Sequence, residues 1–346
     1  MSKVHIEDLG YSQIPHYCTH AIEAFSELAL ELPRRLGLDP DFELLLCDLM
    51  KDSIHFVLPD NGFLLAEHDF KPAMFDLLRL PYPACALEFT ATQELYAADS
   101  GLAFSAKRIA LCFDPHQLAP AQLERLNRLI GRSFLGEVPE NCLAVMAVYE
   151  ANGNWGAATG VVLIDLENDR PLLLKDAAGH MDDITERIGV RLNSKKTAHG
   201  LPARFLVFPA RAQLMGVPAD VAMENFQIDT IDEVRTVYEF LAAINCSNVG
   251  TQDLAAPRML NEKRKKKGRV PFFAYKILDI SPIPAAGTRP GAGGNHASPK
   301  THLRRGHLRQ LGERFENKVL WINATMVNAK PGSGPVTTVY KVKGQA

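Results

Sequence analysis

Three histidines and three arginines fall within fourteen residues near the C-terminus, in His296-Ala-Ser-Pro-Lys-Thr-His302-Leu-Arg304-Arg305-Gly-His307-Leu-Arg309. A hydrophobic core has no use for such a set. A surface that meets phosphate or carboxylate does, because guanidinium presents a rigid, always-charged fork of donors. Imidazole beside it donates, accepts or shuttles a proton near neutral pH. Read as one extended strand over Leu303–Leu311, the segment places Arg305, His307 and Arg309 on one face and His302 and Arg304 on the other. Such a line of cationic donors suits successive phosphates. The leading reading is binding to nucleic acid or a ribosome-like surface, with His296 included. Two alternatives stand beside it. In one, the arginines pair with acidic residues of the rest of the chain and fix its orientation. In the other, a metal-independent ribonuclease uses His302 and His307 as general base and acid, with Arg304, Arg305 and Arg309 stabilising the phosphorane.

The surrounding charge supports a polyanion partner. Residues 261–346 hold 17 Lys+Arg against 4 Asp+Glu, a net +13, whereas the remainder of the chain carries −15. The basic segment opens with Lys263-Arg264-Lys265-Lys266-Lys267, a run that reads first as a solvated linker and second as a phosphate contact. Acidic residues cluster at Asp182, Asp183 and Glu186 and again at Asp229, Asp232 and Glu233. They read as solvated surface first, and as a site for a basic peptide second.

Other chemistry is thinly represented. The six cysteines, Cys18, Cys47, Cys85, Cys112, Cys142 and Cys246, form no C-x-x-C pair and sit mostly in apolar surroundings, which predicts buried free thiols. His16-Tyr-Cys18-Thr-His20 has the look of a metal cluster. On a helix, however, His16 and His20 share a face and Cys18 points elsewhere, so no metal and no cofactor are expected. Gly291–Gly294 lacks the lysine of a P-loop, and no Gly-x-Ser-x-Gly is present. No apolar run approaches the roughly 18–20 residues of a membrane span, and the first residues lack the basic-then-apolar order of a signal peptide. A cytoplasmic protein with no membrane partner is expected.

The elements that must hold these residues predict an α+β fold. It has a mixed antiparallel-sheet and helix N-terminal body over residues 1–255 and a small basic β-rich C-terminal module over 256–346. Helices are predicted from His16 to about Leu32, closed by Pro33; over Pro72–Leu80; over Pro120–Phe134; and over Thr230–Asn245, with Thr230 as N-cap and Glu233 completing a capping box. Glu43–Leu49 and Ser53–Leu58 read as a hairpin, and Ala84–Thr90 and Arg108–Phe113 as strands. Cys142–Glu150 and Ala157–Leu166 read as strands joined through an Asn-Gly turn. Asn248–Pro257 reads as a linker and Ser281–Gly294 as a loop. Phe272–Ile280, Leu303–Leu311, Val319–Val327 and Val336–Val342 are the strands of the module.

The stretch His302-Leu-Arg304-Arg305-Gly306-His307, followed by Val319-Leu-Trp321-Ile-Asn-Ala324-Thr-Met-Val327-Asn328, resembles the C-terminal signature of a phage and mobile-element family, the type V-A anti-CRISPR proteins that lower production of the single-effector CRISPR nuclease. The shared pattern is His-[Ile/Leu]-Arg-Arg-Gly-His and then a strand with Trp, Ala, Val and Asn at matching spacing. Leu308 stands where the family has an aromatic and Asn323 where it has proline. The resemblance covers about 30 residues well, and Asn261–Arg269 loosely. It implies recognition of the nascent N-terminal peptide of a CRISPR effector during translation and loss of the encoding mRNA, with ribosome or RNA as a further partner. On that reading the acidic body holds a Lys/Arg-bearing nascent chain and the basic module touches ribosome or RNA, in the cytoplasm of the bacterial host. The alternative is an RNA-binding protein or ribonuclease of a mobile element.

Overall fold

The structure is a computed structural model that describes residues 14–64, 77–91, 105–166, 172–173, 199–200, 203–214, 216, 219–280, 302–304, 307–310, 318–322 and 325–327. It is an α+β fold built on one mixed sheet. The chain enters through two helices, α1 (Tyr17–Leu36) and α2 (Asp41–Asp52), and continues into β1 (Ile54–Val57), β2 (Ala84–Thr90) and β3 (Lys107–Phe113). After α3 (Pro120–Ile130) come β4 (Cys142–Ala151), β5 (Asn154–Ala157) and β6 (Gly160–Asp165), the short pair β7 (Leu172–Leu173) and β8 (His199–Gly200), and β9 (Ala203–Val207). Helices α4 (Pro209–Leu214) and α5 (Ala219–Ile244) lead to β10 (Val249–Leu254), α6 (Arg258–Lys266) and β11 (Tyr275–Ile280). Four short strands close the described chain: β12 (His302–Arg304), β13 (His307–Gln310), β14 (Val319–Ile322) and β15 (Thr325–Val327).

The main sheet runs β10-β11-β1-β2-β3-β4-β6-β9, with β5 paired to β4. Among the described strands only β1 makes parallel pairs, with β2 and with β11. Both faces are covered, so alternate residues of one strand enter two different cores. On β4, Leu143, Val145 and Ala147 pack towards Phe226, Phe240 and Leu241 of α5. Ala144, Met146 and Val148 pack on the opposite face, with Ile22 and Phe25 of α1, Leu45 and Leu46 of α2 and Leu126 of α3. All six cysteines are buried free thiols, as expected.

Several elements differ from the sequence expectation for physical reasons. Residues 43–49 belong to helix α2 rather than to a hairpin strand: Phe42, Leu45, Leu46, Leu49 and Met50 recur at helical spacing and all are buried. Helix α1 carries Pro33 inside its last turns and ends at Gly37 in the left-handed region. Thr230 is no N-cap, since α5 starts at Ala219 and the Thr230 hydroxyl donates back to the Phe226 carbonyl at 2.8 Å. The expected linker contains β10, an exposed strand that pairs antiparallel with β11. Tyr275–Ile280 lies between β10 and β1, so strand pairing runs across the expected 255/256 boundary. The Asn-Gly hairpin forms as expected, with Asn152 (φ 53°) and Gly153 (φ 82°) both at positive φ between β4 and β5. The expected helix at 72–80 falls mostly outside the described residues, as do 281–294 and 336–342.

Candidate functional site

The lysine run is not a linker but the second half of a helix. In α6 the side chains of Lys263, Lys265 and Lys266 are exposed, as is Lys267 at the C-terminal cap. Gly268 (φ 67°) then turns the chain back. Lys263, Lys266 and Lys267 stand three and four residues apart and so share a face. Cations at a helix C-terminus are also favoured by the partial negative charge of the last carbonyls. None of the four lysines has an ion-pair partner among the described residues.

Arg264, expected to join them, turns inward. It is buried, lies 4.2 Å over the Phe272 ring, and donates from Nε to the Val270 carbonyl at 2.6 Å and from Nη2 to Glu23 at 2.7 Å. Arg264 therefore anchors the helix to α1, and the four lysines are left outside.

The His/Arg motif divides into two strand pairs. His302–Arg304 runs antiparallel to Thr325–Val327, with His302 opposite Val327 and Arg304 opposite Thr325. His307–Gln310 runs antiparallel to Val319–Ile322, with His307 opposite Ile322 and Arg309 opposite Leu320. The single expected strand over 303–311 is thus interrupted, and likewise the one over 319–327. Arg305 and His296 lie outside the described residues. Strand β14 ties its pair to the body. The Ser247 amide donates to the Val319 carbonyl at 3.0 Å, and the Asn248 side chain both accepts from the Trp321 amide at 2.8 Å and donates to the Trp321 carbonyl at 2.9 Å. The Trp321 ring is buried in the α5-side core.

The acidic patch expected at residues 229–233 is not a free surface. Asp229, Asp232 and Glu233 gather round Arg108 of β3, whose Nε and Nη2 donate to the two Glu233 oxygens at 2.6 and 3.0 Å. Nη1 reaches Asp232 at 3.4 Å, and the Tyr149 hydroxyl donates to Asp229 at 3.3 Å. Burial pushes Glu233 up to about 7, against the pull of Arg108, and raises Asp229 as well. Glu233 is committed to an internal cation, while Asp229 and Asp232 are part-buried beside it. Asp182, Asp183 and Glu186 lie outside the described residues.

A different cluster sits on the other face of the sheet, where three strands and a helix end converge. His55, Tyr275 and Glu88 come from the adjacent strands β1, β11 and β2; His55 lies opposite Tyr275 in register, and Val57 opposite Glu88. The first turn of α1 descends onto them. The fully buried Glu88 carboxylate accepts from the Tyr17 amide at 2.8 Å, the Cys18 amide at 2.9 Å and the Tyr275 hydroxyl at 2.6 Å. It thereby satisfies amides at the helix N-terminus that have no intrahelical partner. Burial raises Glu88 nonetheless, and burial followed by the neighbouring Glu88 charge raises the Cys18 thiol well above its ordinary value. His55 is 3% exposed and stacks on Phe273 at 4.0 Å. Burial brings it down to about 4, against a backbone hydrogen bond from the ring to Met50.

Cys18, His55 and Glu88 offer one ligand atom each, all within 4.8 Å of one another. Cys18 turns away from His20, towards Glu88 and His55. The available signal was a histidine in Ile54-His-Phe-Val and a glutamate in Ala84-Cys-Ala-Leu-Glu-Phe-Thr, each a polar residue inside a buried strand. Neither reads as a pair with Cys18 until the strands are in register.

No described helix is long and apolar enough to cross a membrane. Comparison with family models, with curated proteins and with solved structures gives no match.

Proposed function

We propose that the protein works by binding rather than by an active site of its own. In this reading it grips RNA or the ribosome through the lysines of α6 and the His/Arg segment 302–309, in an anti-CRISPR-like suppression of type V-A nuclease production. The nascent N-terminal peptide of the effector is the recognised partner, and loss of its mRNA the outcome. One observation supports the binding half: Lys263, Lys265, Lys266 and Lys267 are exposed on a helix anchored by Arg264, a cluster of free cations of the kind that neutralises phosphates. The anti-CRISPR half rests on the resemblance of the His302–His307 motif and the strand after it. Glu233, fully buried on Arg108, drops out as a peptide contact, and the proposed contacts are Asp182, Asp183 and Glu186 with the part-buried Asp229 and Asp232.

The test compares effector mRNA in cells carrying this protein and either a native nuclease gene or one whose first codons are frameshifted and then restored. A fall confined to the native frame is expected. Equal falls would make RNA itself the target, and no fall would remove the nuclease as the target.

A further inference from the structure

The thiol, imidazole and carboxylate beneath the first turn of α1 stand in an otherwise apolar layer of Ala86, Ile109, Leu111 and Met146. Without an occupant their arrangement is costly. His55 is sealed in with the Met50 backbone beside one ring nitrogen, and the other nitrogen, left unsatisfied when buried, costs about 1–3 kcal/mol. Stacking on Phe273 and the tilted contact to Tyr275 at 5.6 Å hold the ring where it is. Its neutral form, the only one a metal accepts, is the form burial enforces.

The remaining donors fit the same occupant. An ionised carboxylate has about four lone-pair sites. On Glu88, Oε1 uses two for Cys18 N and Tyr275 OH, while Oε2 uses one for Tyr17 N. The Cys18 thiol also bonds to the Glu88 carboxylate, and that position passes to the ion when the thiol gives up its proton. The Tyr275 hydroxyl and the two helix amides would orient Glu88 as the outer partners of metal-bound carboxylates do. One thiolate and one carboxylate also neutralise a divalent cation, which removes the cost of burying either charge alone. Ligand atoms bound to Zn2+ at about 2.0–2.3 Å stand roughly 3.3–3.8 Å apart. A cluster within 4.8 Å needs to close by ~1.5 Å at most. The mixed sulfur, nitrogen and oxygen set suits zinc better than the oxygen-seeking magnesium or calcium.

We propose that Cys18, His55 and Glu88 bind a single Zn2+ ion that joins the N-terminus of α1 to strands β1 and β2. Binding converts the Cys18 thiol to a zinc-bound thiolate and releases its proton to solvent. The ion is taken up as the layer folds, and a fourth position is left for water or a small anion. This site is independent of the RNA-binding reading.

The test uses the full chain, stripped with chelator and then titrated with Co2+ and, separately, Zn2+. One equivalent of Co2+ is expected to give thiolate-to-metal charge-transfer and tetrahedral d–d bands that vanish in Cys18→Ala, and Zn2+ is expected to raise Tm. The absence of such bands, or bands unchanged in Cys18→Ala, overturns the proposal. His55→Phe preserves stacking on Phe273 and supplies a second test that survives poor folding of the cysteine variant. The zinc-dependent rise in Tm should disappear in it. If native Tm ignores Zn2+ and His55→Phe is simply the more stable protein, the cluster is a packing arrangement and not a metal site.

Discussion

Arg108 of β3 grips Glu233 of α5 through two parallel hydrogen bonds, Nε to Oε1 at 2.6 Å and Nη2 to Oε2 at 3.0 Å, with Glu233 fully buried. This fork fixes the rotation of α5 over the sheet, because β3 and α5 otherwise meet through apolar side chains that could slide. Asp232 and Asp229 complete the surroundings of the guanidinium, and Tyr149 bonds to Asp229. An acidic patch in sequence has become the counter-charge of one arginine more than 120 residues away.

Removing the cation alone should therefore be far worse than removing the pair. Arg108→Met is expected to cost about 3–5 kcal/mol, because it strands Glu233 and Asp229 in the core. Arg108→Met with Glu233→Met should recover most of that loss. Urea unfolding of the two single variants and the double gives the coupling; equal, additive losses would mean that the pair acts as two independent packing groups.

Stability should also depend on pH through this carboxylate. Burial raises Glu233 in the folded state to about 7 from an ordinary 4.5. The folded chain therefore holds a proton that the unfolded chain has released between those values. The contribution is fully present below about pH 4.5 and is lost as pH rises through 7. Asp229, also raised by burial, acts in the same direction. In Glu233→Gln the pH dependence of unfolding free energy should be less negative by up to about 1.4 kcal/mol per pH unit across pH 5–6.5. Parallel curves for native and variant would show that Glu233 stays ionised beside Arg108.

What the sequence revealed follows from the range of each signal. Ala84–Thr90 and the Asn152-Gly153 turn are legible because a short apolar run set off by Pro81 and Pro83 and a turn needing two positive φ values are local signals. Helix α2 was misread because Leu44-Leu45-Leu46-Cys47 alone does not separate strand from helix; Phe42 and Met50 on the same face do. β10 escaped because an exposed strand paired on one side to β11 needs no hydrophobic alternation, and its Gly, Thr, Gln and Asp resemble a loop. At the site level, the exposed lysines were visible as composition. Arg264 inside the same run could not be told apart from them until Glu23 and Phe272 were brought to it. Cys18, His55 and Glu88 were beyond reach because their meeting depends on parallel pairing of β1 and on where α1 lands.

Gly160 should tolerate no side chain. A Cβ there would lie 2.4 Å from the Leu206 carbonyl oxygen and 2.8 Å from the Phe226 ring, so both the β6–β9 pairing and the seat of α5 would have to give. Gly160→Ala is expected to destabilise by about 1–3 kcal/mol. Gly131→Ala, with open space around its Cβ but a left-handed φ of 76°, should cost about 1 kcal/mol through backbone strain alone. Thermal unfolding of the two variants separates crowding from strain, and equal losses would remove the close approach as the reason for Gly160.

The basic run should separate into residues that bind and a residue that holds. Changing Lys263, Lys265, Lys266 and Lys267 together to Gln keeps good helix formers in α6, and none of the four lysines is buried. Tm should therefore change little. If each lysine neutralises one phosphate of single-stranded RNA, the slope of log K against log salt should become shallower by about 2.8, at ~0.7 per contact. Arg264→Gln should do the reverse. It breaks the bonds to Glu23 and Val270 and the stacking on Phe272, so Tm falls while the salt slope is retained. Filter binding across a salt series, with Tm measured on the same preparations, reads both quantities. An unchanged slope in the four-lysine variant would move the polyanion contact away from α6 and onto the His302–Arg309 segment alone.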